Sequence, residues 1–553
     1  MRHFLKSNVK ITARTLIFAF LSAAIQLING QSVPFTYFYR VYFRDKGNYT
    51  VSDFNLNELV SERAIKRRAK AGILATDYRD LPVFRGYIDS IKASGFTLHC
   101  SSKWMNTALF KTSSDVDLSK IKSFPFVSEV KVVKNLGGKG SKISKADPLA
   151  MATDLPAYDQ QITMVNGYAL HNSGYNGTGV LIAVLDAGFI YSDKISSLQG
   201  VRTRKGIKST YDFVNGNEYV YNYHWHGTAV LSILGGKEEG KLEGSAPSAD
   251  YVLLRTEDDN SEFPCEEDYW GAGAEYADSV GADIISSSLG YYRFDDPSMS
   301  YKITDLNGNT SFITRIADIA ASKGILVVNS AGNERGNDWG KIIFPADGDS
   351  VLAIGAVDAN RTIAAFSSAG PSADGRIKPN ISAMGVNDVL QTSPSSMGRS
   401  SGTSFSCPVI SGMSACLLEA VPKAVNYDII KALQSSADRY NSPDSLYGYG
   451  IPDMGKALSL LQDIYFRIPE NEVVAAPNPF TGSFELIFRN TSSNITVEIF
   501  TATGKIVFQK LYSGHAGRTI EINDMQRMPQ GIYFIRIKSE NGTSTIKVIK
   551  LSE

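Results

Sequence analysis

Four polar residues in the central part of the chain have the types that acyl transfer requires: Asp186, His226, Asn333 and Ser404. A serine hydroxyl is a poor nucleophile unless a base takes its proton, and a neutral imidazole can do so near neutral pH. A buried carboxylate can hold that imidazole in one tautomer and stabilise its protonated form. The amide of an asparagine and the backbone N–H of the serine could bind the oxyanion that forms.

Ser404 stands where a helix is predicted to begin. Gly402-Thr403-Ser404 indicates a tight glycine turn, small and apolar residues follow at helical spacing, and Pro422 ends the pattern. Free backbone N–H groups and the helix dipole favour negative charge at such a position. A serine at a helix start is more often an ordinary N-cap. The prediction of catalysis therefore depends on the other three residues.

The elements that must position these residues are short apolar strands that alternate with helices. The candidate strands are near-continuous apolar runs, as is typical of parallel strands buried on both faces, and they occupy 180–185, 249–254, 284–287, 325–329 and 351–357. Helices are predicted between them, for example over 271–279 and 312–322. This alternation predicts an α/β fold with a doubly wound, mostly parallel sheet. In such sheets, sites gather beyond the carboxyl ends of the strands, where Asp186 and Asn333 stand.

The order Asp, His, Asn, Ser resembles the subtilisin-like serine peptidases, the subtilases. The resemblance covers about 155–460 and rests on five short motifs and a proline: Asp186-Ala187-Gly188, His226-Gly227-Thr228, Ser288-Leu289-Gly290, Ala331-Gly332-Asn333, Gly402-Thr403-Ser404 and Pro408. It implies that Asp186, His226 and Ser404 form the charge-relay triad and that Asn333 is the oxyanion donor. It also implies that substrate binds at Ser288, Leu289, Gly290, Ala331 and Gly332. Ala187 and Phe405-Ser406-Cys407 depart from the commoner family residues, which bears on specificity more than on proton transfer.

The N-terminal third of the chain predicts targeting and a separate small unit. A basic head and a short apolar run over 16–28 indicate a secretory signal peptide over 1–31, too short to span a bilayer. Residues 35–134 predict an α+β unit with a basic helix over 55–71, whose cations are expected on a solvated face. By position, and by the motifs at 63–68 and 102–106, this unit resembles the inhibitory and chaperoning propeptide of long-propeptide subtilases from Bacteroidetes-type bacteria. A linker is predicted over 135–154 and the peptidase domain over 155–462.

The C-terminal segment, 473–553, predicts turn-separated strands without a helix, which indicates a small β-sandwich. Its motifs Ala476-Pro477-Asn478-Pro479-Phe480, Gly531-Ile532-Tyr533 and Lys547-Val548-Ile549-Lys550 resemble the C-terminal sorting domain of the type IX secretion system. The alternative is a generic sandwich that binds glycan or protein. The resemblance implies a secreted or cell-surface protein whose partners are peptide substrates, its own propeptide and the secretion machinery.

Composition excludes several other classes of partner. The 553 residues are 43% apolar and 20% charged with a formal net charge of zero, which gives no reason to propose nucleic acid or an anionic membrane. No segment after the N-terminus is long and apolar enough for a transmembrane span. Four cysteines are too few for a disulfide scaffold. Cys407 and Cys416 are expected to be small core residues, and no pairing is predicted.

Two groups of residues could bind metal ions. His224 and His226 could form a metal pair, but no third ligand accompanies them at a recognisable spacing, so no metal site is predicted and no cofactor is required. The acidic runs 257–259 and 266–268 could hold a structural calcium ion. The simpler interpretation is solvated loop charge, because no defined ligand spacing is present.

The sequence therefore predicts a secreted serine endopeptidase that is made as a prepro-enzyme. One alternative is a homologue that has lost activity, and another is a surface adhesin on a protease-derived scaffold. An esterase of the α/β-hydrolase type disagrees with the chain order, since that fold runs serine, acid, histidine and here the acid comes first.

Overall fold

The computed structural model describes residues 37–135, 158–467, 473–488, 494–513, 519–540 and 542–551. The predicted signal peptide over 1–31 and almost all of the predicted linker lie outside these residues. Within the described ranges, no helix has the length and apolar character that a membrane crossing requires.

Thirteen α-helices are described in these ranges. They are α1 Leu56–Leu59, α2 Glu62–Lys70, α3 Arg85–Lys92, α4 Ser119–Lys122, α5 Gln160–Thr163, α6 Tyr168–His171, α7 Gln199–Thr203, α8 His226–Gly235, α9 Cys265–Val280, α10 Phe312–Ser322, α11 Thr403–Ala420, α12 Asn426–Ser436 and α13 Met454–Gln462.

The described strands form three units along the chain. The first unit contains β1 Tyr37–Phe43, β2 Thr97–Ser102, β3 Thr107–Thr112 and β4 Val127–Asn135. The central unit contains β5 Leu181–Asp186, β6 Ile207–Asp212, β7 Lys237–Glu238, β8 Leu242–Glu243, β9 Asp250–Arg255, β10 Ile284–Ser287, β11 Leu326–Ser330, β12 Val351–Val357, β13 Ile381–Met384, β14 Asp388–Ser393 and β15 Ser396–Ser400. The last contains β16 Val473–Ala476, β17 Phe484–Phe488, β18 Asn494–Thr501, β19 Ile506–Ser513, β20 Thr519–Ile522, β21 Gly531–Ser539 and β22 Gly542–Lys550.

The central unit is built on a seven-stranded parallel sheet with the order β13-β12-β11-β10-β5-β9-β6. The predicted α/β class with a parallel sheet is confirmed. All five predicted strands are present, but the two edge strands were missed. β6 contains Lys208, Ser209 and Thr210 and is only partly buried, and β13 has four residues, so neither presents a long apolar run.

Helices cover both faces of this sheet because its strands are apolar on both sides. In β5, Ile182 and Val184 pack into the core that contains α8 and α11. Leu181, Ala183 and Leu185 point the other way and pack into the core that contains α9 and α10. Successive strand residues alternate between faces, so a continuous apolar run serves both layers at once.

The first unit is a four-stranded antiparallel sheet with the order β2-β3-β1-β4, and it packs on the central unit through α9. The carboxylate of Glu275 in α9 accepts hydrogen bonds from Ser102 Oγ at 2.5 Å, from the Lys103 N–H at 2.9 Å and from the Trp104 N–H at 3.0 Å. The motif at 102–106 thus wraps around one buried acid of the neighbouring unit.

The prediction that the basic residues of α2 face solvent is wrong for Arg67 and Arg68, which are buried. Arg68 pairs with Asp80 at 2.7 Å and with Asp278 of α9 at 2.6 Å, and Arg67 also pairs with Asp278. The acid that draws both arginines inside lies more than 200 residues away along the chain. Such a partner cannot be seen in the local charge pattern.

Lys323 of the central unit completes this buried cluster. It contacts Asp80 at 3.0 Å and Asp77 at 2.9 Å. Burial opposes ionisation of Asp80, but the hydrogen bonds from Arg68 and the charge of Lys323 outweigh it and hold the pKa of Asp80 well below its ordinary value. This part of the contact between the two units is therefore ionic.

The acidic runs of the central unit are also engaged by the first unit. Asp268 accepts hydrogen bonds from Arg40 at 2.6 and 2.9 Å, Glu267 lies 3.3 Å from the same guanidinium, and Lys134 contacts Asp258 at 2.9 Å. Glu267 and Asp268 are buried, so the expectation of solvated loop charge is wrong for them. With the first unit attached, their oxygens bind the Arg40 guanidinium. In the described ranges, no group of three or more His, Cys, Asp or Glu side chains is arranged for a metal ion.

The last unit consists of two antiparallel sheets with the orders β16-β17-β20 and β19-β18-β21-β22. A shared core that includes Leu486, Val497, Ile499 and Ile535 lies between them, so the predicted β-sandwich is present. Lys431 of α12 contacts Glu485 at 2.5 Å, which joins the sandwich to the central unit.

Candidate active site

Asp186 and His226 are in direct contact. Asp186 is the last residue of β5 and fully buried, and His226 is the first residue of α8. The Asp186 Oδ1 atom lies 2.8 Å from His226 Nδ1. Because a carboxylate only accepts, the proton belongs on Nδ1, which leaves Nε2 as the acceptor. The chain can approach this closely because position 227 is glycine: a Cβ there would lie 2.4 Å from the Gly188 carbonyl oxygen.

The charge of Asp186 is available to the imidazole. Its Oδ1 atom also accepts the Ala187 N–H at 2.8 Å, while its Oδ2 atom has no hydrogen-bond partner in the part of the chain that the structure describes. A buried carboxylate with little other compensation strongly favours a nearby positive charge. The carboxylate therefore holds the His226 ring in one orientation from this side.

His224 supports the backbone that presents His226. The His224 Nδ1 atom accepts the His226 N–H at 3.3 Å. Burial, together with the neighbouring imidazole of His226, lowers the pKa of His224, so it remains neutral near neutral pH. A hydrogen bond to the first turn of α8 accounts for His224 without a metal ion.

Ser404 is the second residue of α11 and follows Gly402, whose backbone is extended. Pro408 lies one turn further on and has no N–H to give to the Ser404 carbonyl. That carbonyl instead accepts the Ser288 hydroxyl at 2.9 Å, and Ser404 Oγ lies 3.4 Å from the Ser288 carbonyl oxygen. The segment 288–290 is thereby fixed against one side of Ser404.

Asn333 is fixed by Thr403. Asn333 Oδ1 accepts the Thr403 N–H at 2.9 Å and the Thr403 hydroxyl at 3.0 Å. An N–H can only donate, so the oxygen of Asn333 must be the atom that faces Thr403, and its NH₂ group is left for another acceptor. Thr403 Oγ1 also accepts the Gly332 N–H at 3.1 Å. The sequence motif contained Thr403, but no role was predicted for it.

One cavity of about 410 Å³ joins these residues. Its lining includes His226, Asn333 and Ser404, with four of the residues expected to bind substrate: Ser288, Leu289, Gly290 and Gly332. Asp186 lies behind His226. Ala331 is fully buried, and its carbonyl accepts the Ile343 N–H at 3.1 Å, so it lies behind the lining.

The lining carries more acidic than basic side chains. Glu257, Asp259, Glu262 and Glu334 contribute carboxylates and Arg293 contributes a guanidinium. Asp259 is partly neutralised by Arg255, 3.3 Å away, and Glu334 accepts the Tyr292 hydroxyl at 2.7 Å. Glu257, Asp259 and Glu262 lie in the loop after β9. The run 257–259 was considered in the sequence only as a calcium ligand or as solvated charge, and no role was predicted for Glu262.

Comparison with protein families divides the chain in the same order as the structure. Residues 177–450 match the subtilase family, peptidase S8. Residues 38–147 match the peptidase S8 propeptide domain of Bacteroidota, and residues 475–551 match the secretion system C-terminal sorting domain.

The chain is also similar to several well-known proteases. It is 30% identical to Subtilisin Savinase of Lederbergia lenta over 292 residues, which are 52% of this chain and 94% of that protein. It is 30% identical to an alkaline protease of Shouchella clausii over 308 residues, 55% of this chain and 70% of that protein. A thermostable alkaline protease of Halalkalibacterium halodurans is 29% identical over 297 residues, which are 54% of this chain and 72% of that protein.

These similarities show that the chain belongs to the subtilase family. It is a serine-type endopeptidase of the subtilisin kind, preceded by a propeptide domain and followed by a type IX sorting domain. The sorting domain indicates secretion to the cell surface or the extracellular space.

Proposed function

We propose that this subtilase hydrolyses peptide bonds through an acyl-enzyme on Ser404. The Ser404 Oγ atom attacks the carbonyl carbon while its proton passes to His226 Nε2, and Asp186 stabilises the resulting imidazolium. The Asn333 NH₂ group and the Ser404 N–H bind the oxyanion. His226 then gives its proton to the leaving amine. Water attacks the ester carbonyl while its proton passes to His226. The ester bond then breaks, His226 returns that proton to Ser404 Oγ, and the acid is released.

The observation that supports this proposal most strongly is the 2.8 Å contact between Asp186 Oδ1 and His226 Nδ1, with His226 and Ser404 lining one cavity. A serine in a purely structural role would need no oriented base beside it. The same cavity holds Asn333, whose amide orientation leaves donors for an oxyanion. No metal ion is needed in any of these steps.

Labelling with a fluorophosphonate tests the proposal, because the reagent reacts only with an activated serine. We expect one label per chain, found by peptide mass spectrometry on the peptide that contains Ser404, and loss of labelling after prior treatment with a peptide-based serine protease inhibitor. An unlabelled protein that still folds would favour the adhesin or the inactive homologue. A label on another serine would contradict the assigned nucleophile.

The activity should depend on pH through His226. A histidine base works only when neutral. Lowering the pH protonates the base, so kcat/KM is expected to fall as the solution becomes acidic and to level off toward neutral pH. A pH profile of kcat/KM with a peptide anilide checks this. A profile that stays flat into the acid range contradicts His226 as the base.

Asn333→Asp is expected to lower kcat by roughly 10²–10³-fold with a small change in KM, since the donor acts mainly in the transition state. The aspartate keeps the oxygen that binds Thr403 but loses the NH₂ donors, and it adds a negative charge. Asn333→Ala also removes the NH₂ donors but adds no charge, so a comparison of the two variants separates the effect of the lost donors from the effect of the added charge. If steady-state kinetics show that the alanine variant has the same kcat as the wild type, Asn333 is not the oxyanion donor.

We further infer roles for the flanking segments with the predicted bounds: a signal peptide over 1–31, a propeptide over 35–134 that is released by self-cleavage, and a sorting tail over 473–553. The matches to propeptide and sorting-domain families support these roles. Mass spectrometry of the intact secreted protein tests all three, because it reports both chain ends. A secreted form that retains the first unit would contradict self-cleavage.

A further inference from the structure

The two segments that border Ser404 define where the acyl side of a substrate must lie. In the segment 288–290, the Ser288 hydroxyl donates a hydrogen bond to the Ser404 carbonyl. In the segment that contains Gly332, the Gly332 N–H donates a hydrogen bond to the Thr403 hydroxyl. Under the proposed function, the scissile carbonyl is attacked by Ser404 and its oxygen points to Asn333. The side chain of the residue that carries this carbonyl then enters the space between the two segments.

Ile343 fills the inner end of that space. A Cβ placed on Gly290 would lie 2.5 Å from Ile343 Cδ1, and a Cβ placed on Gly332 would lie 3.0 Å from Ile343 Cγ1. The isoleucine side chain is thus packed against one glycine of each segment. Ile343 lines the same cavity and is 7% exposed, so it forms a floor rather than a rim.

The position of Ile343 is fixed from both sides. Its N–H donates to the Ala331 carbonyl at 3.1 Å, and its neighbour Phe344 exchanges two hydrogen bonds with Tyr291 at 2.9 and 3.1 Å. A β-branched side chain also has few accessible rotamers. The backbone of Ile343 is therefore held in place, and its β-branched side chain has few rotamers in which it could leave the cavity.

We propose that Ile343 sets the substrate specificity of this peptidase by restricting the residue that carries the scissile carbonyl to a small side chain, such as alanine or glycine. The inference rests on the proposed function, because it uses the attack by Ser404 to locate the substrate. An aromatic side chain would overlap the carbon atoms of Ile343. The two glycines allow Ile343 to pack close to both segments, and the isoleucine then limits how deep a substrate side chain can reach.

Two peptide p-nitroanilides that differ only in the residue before the scissile bond, alanine or phenylalanine, test this specificity with the self-processed protein. A single misfitting methylene changes kcat/KM by about 10–200-fold, so we expect the wild type to prefer alanine by at least about 100-fold. Ile343→Gly should raise kcat/KM for the phenylalanine substrate by at least about 50-fold.

Ile342→Ala is the matched control. Ile342 precedes Ile343 and is fully buried, but it does not line the cavity. Its truncation should lower stability without changing the ratio of the two kcat/KM values. If Ile343→Gly does not fold, Ile343→Val takes its place. Loss of one methyl group should then shift the preference toward larger side chains, and kcat/KM values for a series of alanine, valine and leucine substrates measure this shift.

The outcomes separate this inference from the proposed function. If the wild type is labelled at Ser404 by fluorophosphonate yet cleaves the phenylalanine substrate as well as the alanine substrate, the role of Ile343 is overturned and the proposed function stands. An unchanged ratio in the folded Ile343 variants also overturns it. If the wild type is not labelled and cleaves neither substrate, the proposed function itself fails.

Discussion

Ser404→Ala is expected to lower kcat for peptide hydrolysis by at least about 10⁴-fold. Without Oγ no acyl-enzyme can form, although the oxyanion donors and the substrate-binding segments remain. The same variant should keep its first unit attached, because the proposed self-cleavage uses the same nucleophile. The two measurements are the initial rate of peptide anilide hydrolysis and the mass of the intact secreted chain.

Ser406→Ala is the matched control for the loss of peptide hydrolysis in Ser404→Ala. Ser406 is two residues further along α11 and fully buried, and its hydroxyl donates to the Thr403 carbonyl at 3.0 Å. Removing it costs one buried hydrogen bond, which is worth about 1 kcal/mol of stability, and leaves the chemistry intact. Hydrolysis by Ser404→Ala at the wild-type rate, or an equal loss in Ser406→Ala, would contradict Ser404 as the nucleophile.

Asp278→Ala is expected to weaken the attachment of the first unit by about 3–5 kcal/mol. Arg67 and Arg68 both bind this carboxylate and are buried, so its removal leaves two guanidinium groups without their shared partner. Breaking a buried ion pair from one side is costly because the remaining charge stays out of water. A change of this size lowers the equilibrium constant for docking by roughly 10²–10³-fold or more.

Amide hydrogen exchange of the full chain measures this effect, with Ser404→Ala as the background so that the first unit stays covalently attached. Exchange over 37–135 should increase strongly in Asp278→Ala. Glu62→Gln removes one partner of the Glu62–Lys66 pair on α2, which is mostly exposed, and it should change exchange little. Equal exchange in the two variants would show that the buried cluster does not hold the units together.

The position of Asp278 in α9 agrees with a role in holding the first unit against the central unit. It lies in the last turn of α9, where the helix dipole disfavours negative charge, and that turn contains no basic residue. The cations that compensate Asp278 all come from outside α9. Once the propeptide is released, Asp278 loses the two arginines, and we expect the last turn of α9 to be less protected in the processed enzyme than in the precursor.

Much of the central fold could be predicted from short-range patterns. The apolar runs at 284–287 and 351–357 coincide with β10 and β12, and the helix predicted over 312–322 coincides with α10. Buried parallel strands give near-continuous apolar runs that are easily recognised. The edge strand β6 was missed because one side of an edge strand meets solvent and its sequence is mixed.

The candidate site could also be predicted in part. Asp186, His226, Asn333 and Ser404 could be selected because each follows a strand or begins a helix and each has a reactive type. Asp186 and His226 are 40 residues apart, so their contact is a tertiary one, made where β5 and α8 meet at Gly227. Thr403, which binds both Asn333 and Gly332, has no distinctive sequence signal, since threonine at a helix start is common.

Short-range patterns were enough to locate most elements and the reactive side chains at their ends, because hydrophobic periodicity and glycine turns act over a few residues. Which distant groups meet depends on how these elements pack in the folded chain. That packing buried Arg67 and Arg68 on Asp278, and it placed Ile343 between Gly290 and Gly332. Ion pairing and packing depend on distances in space. When two residues are more than 200 positions apart in the chain, the local sequence around each gives no sign that they are in contact.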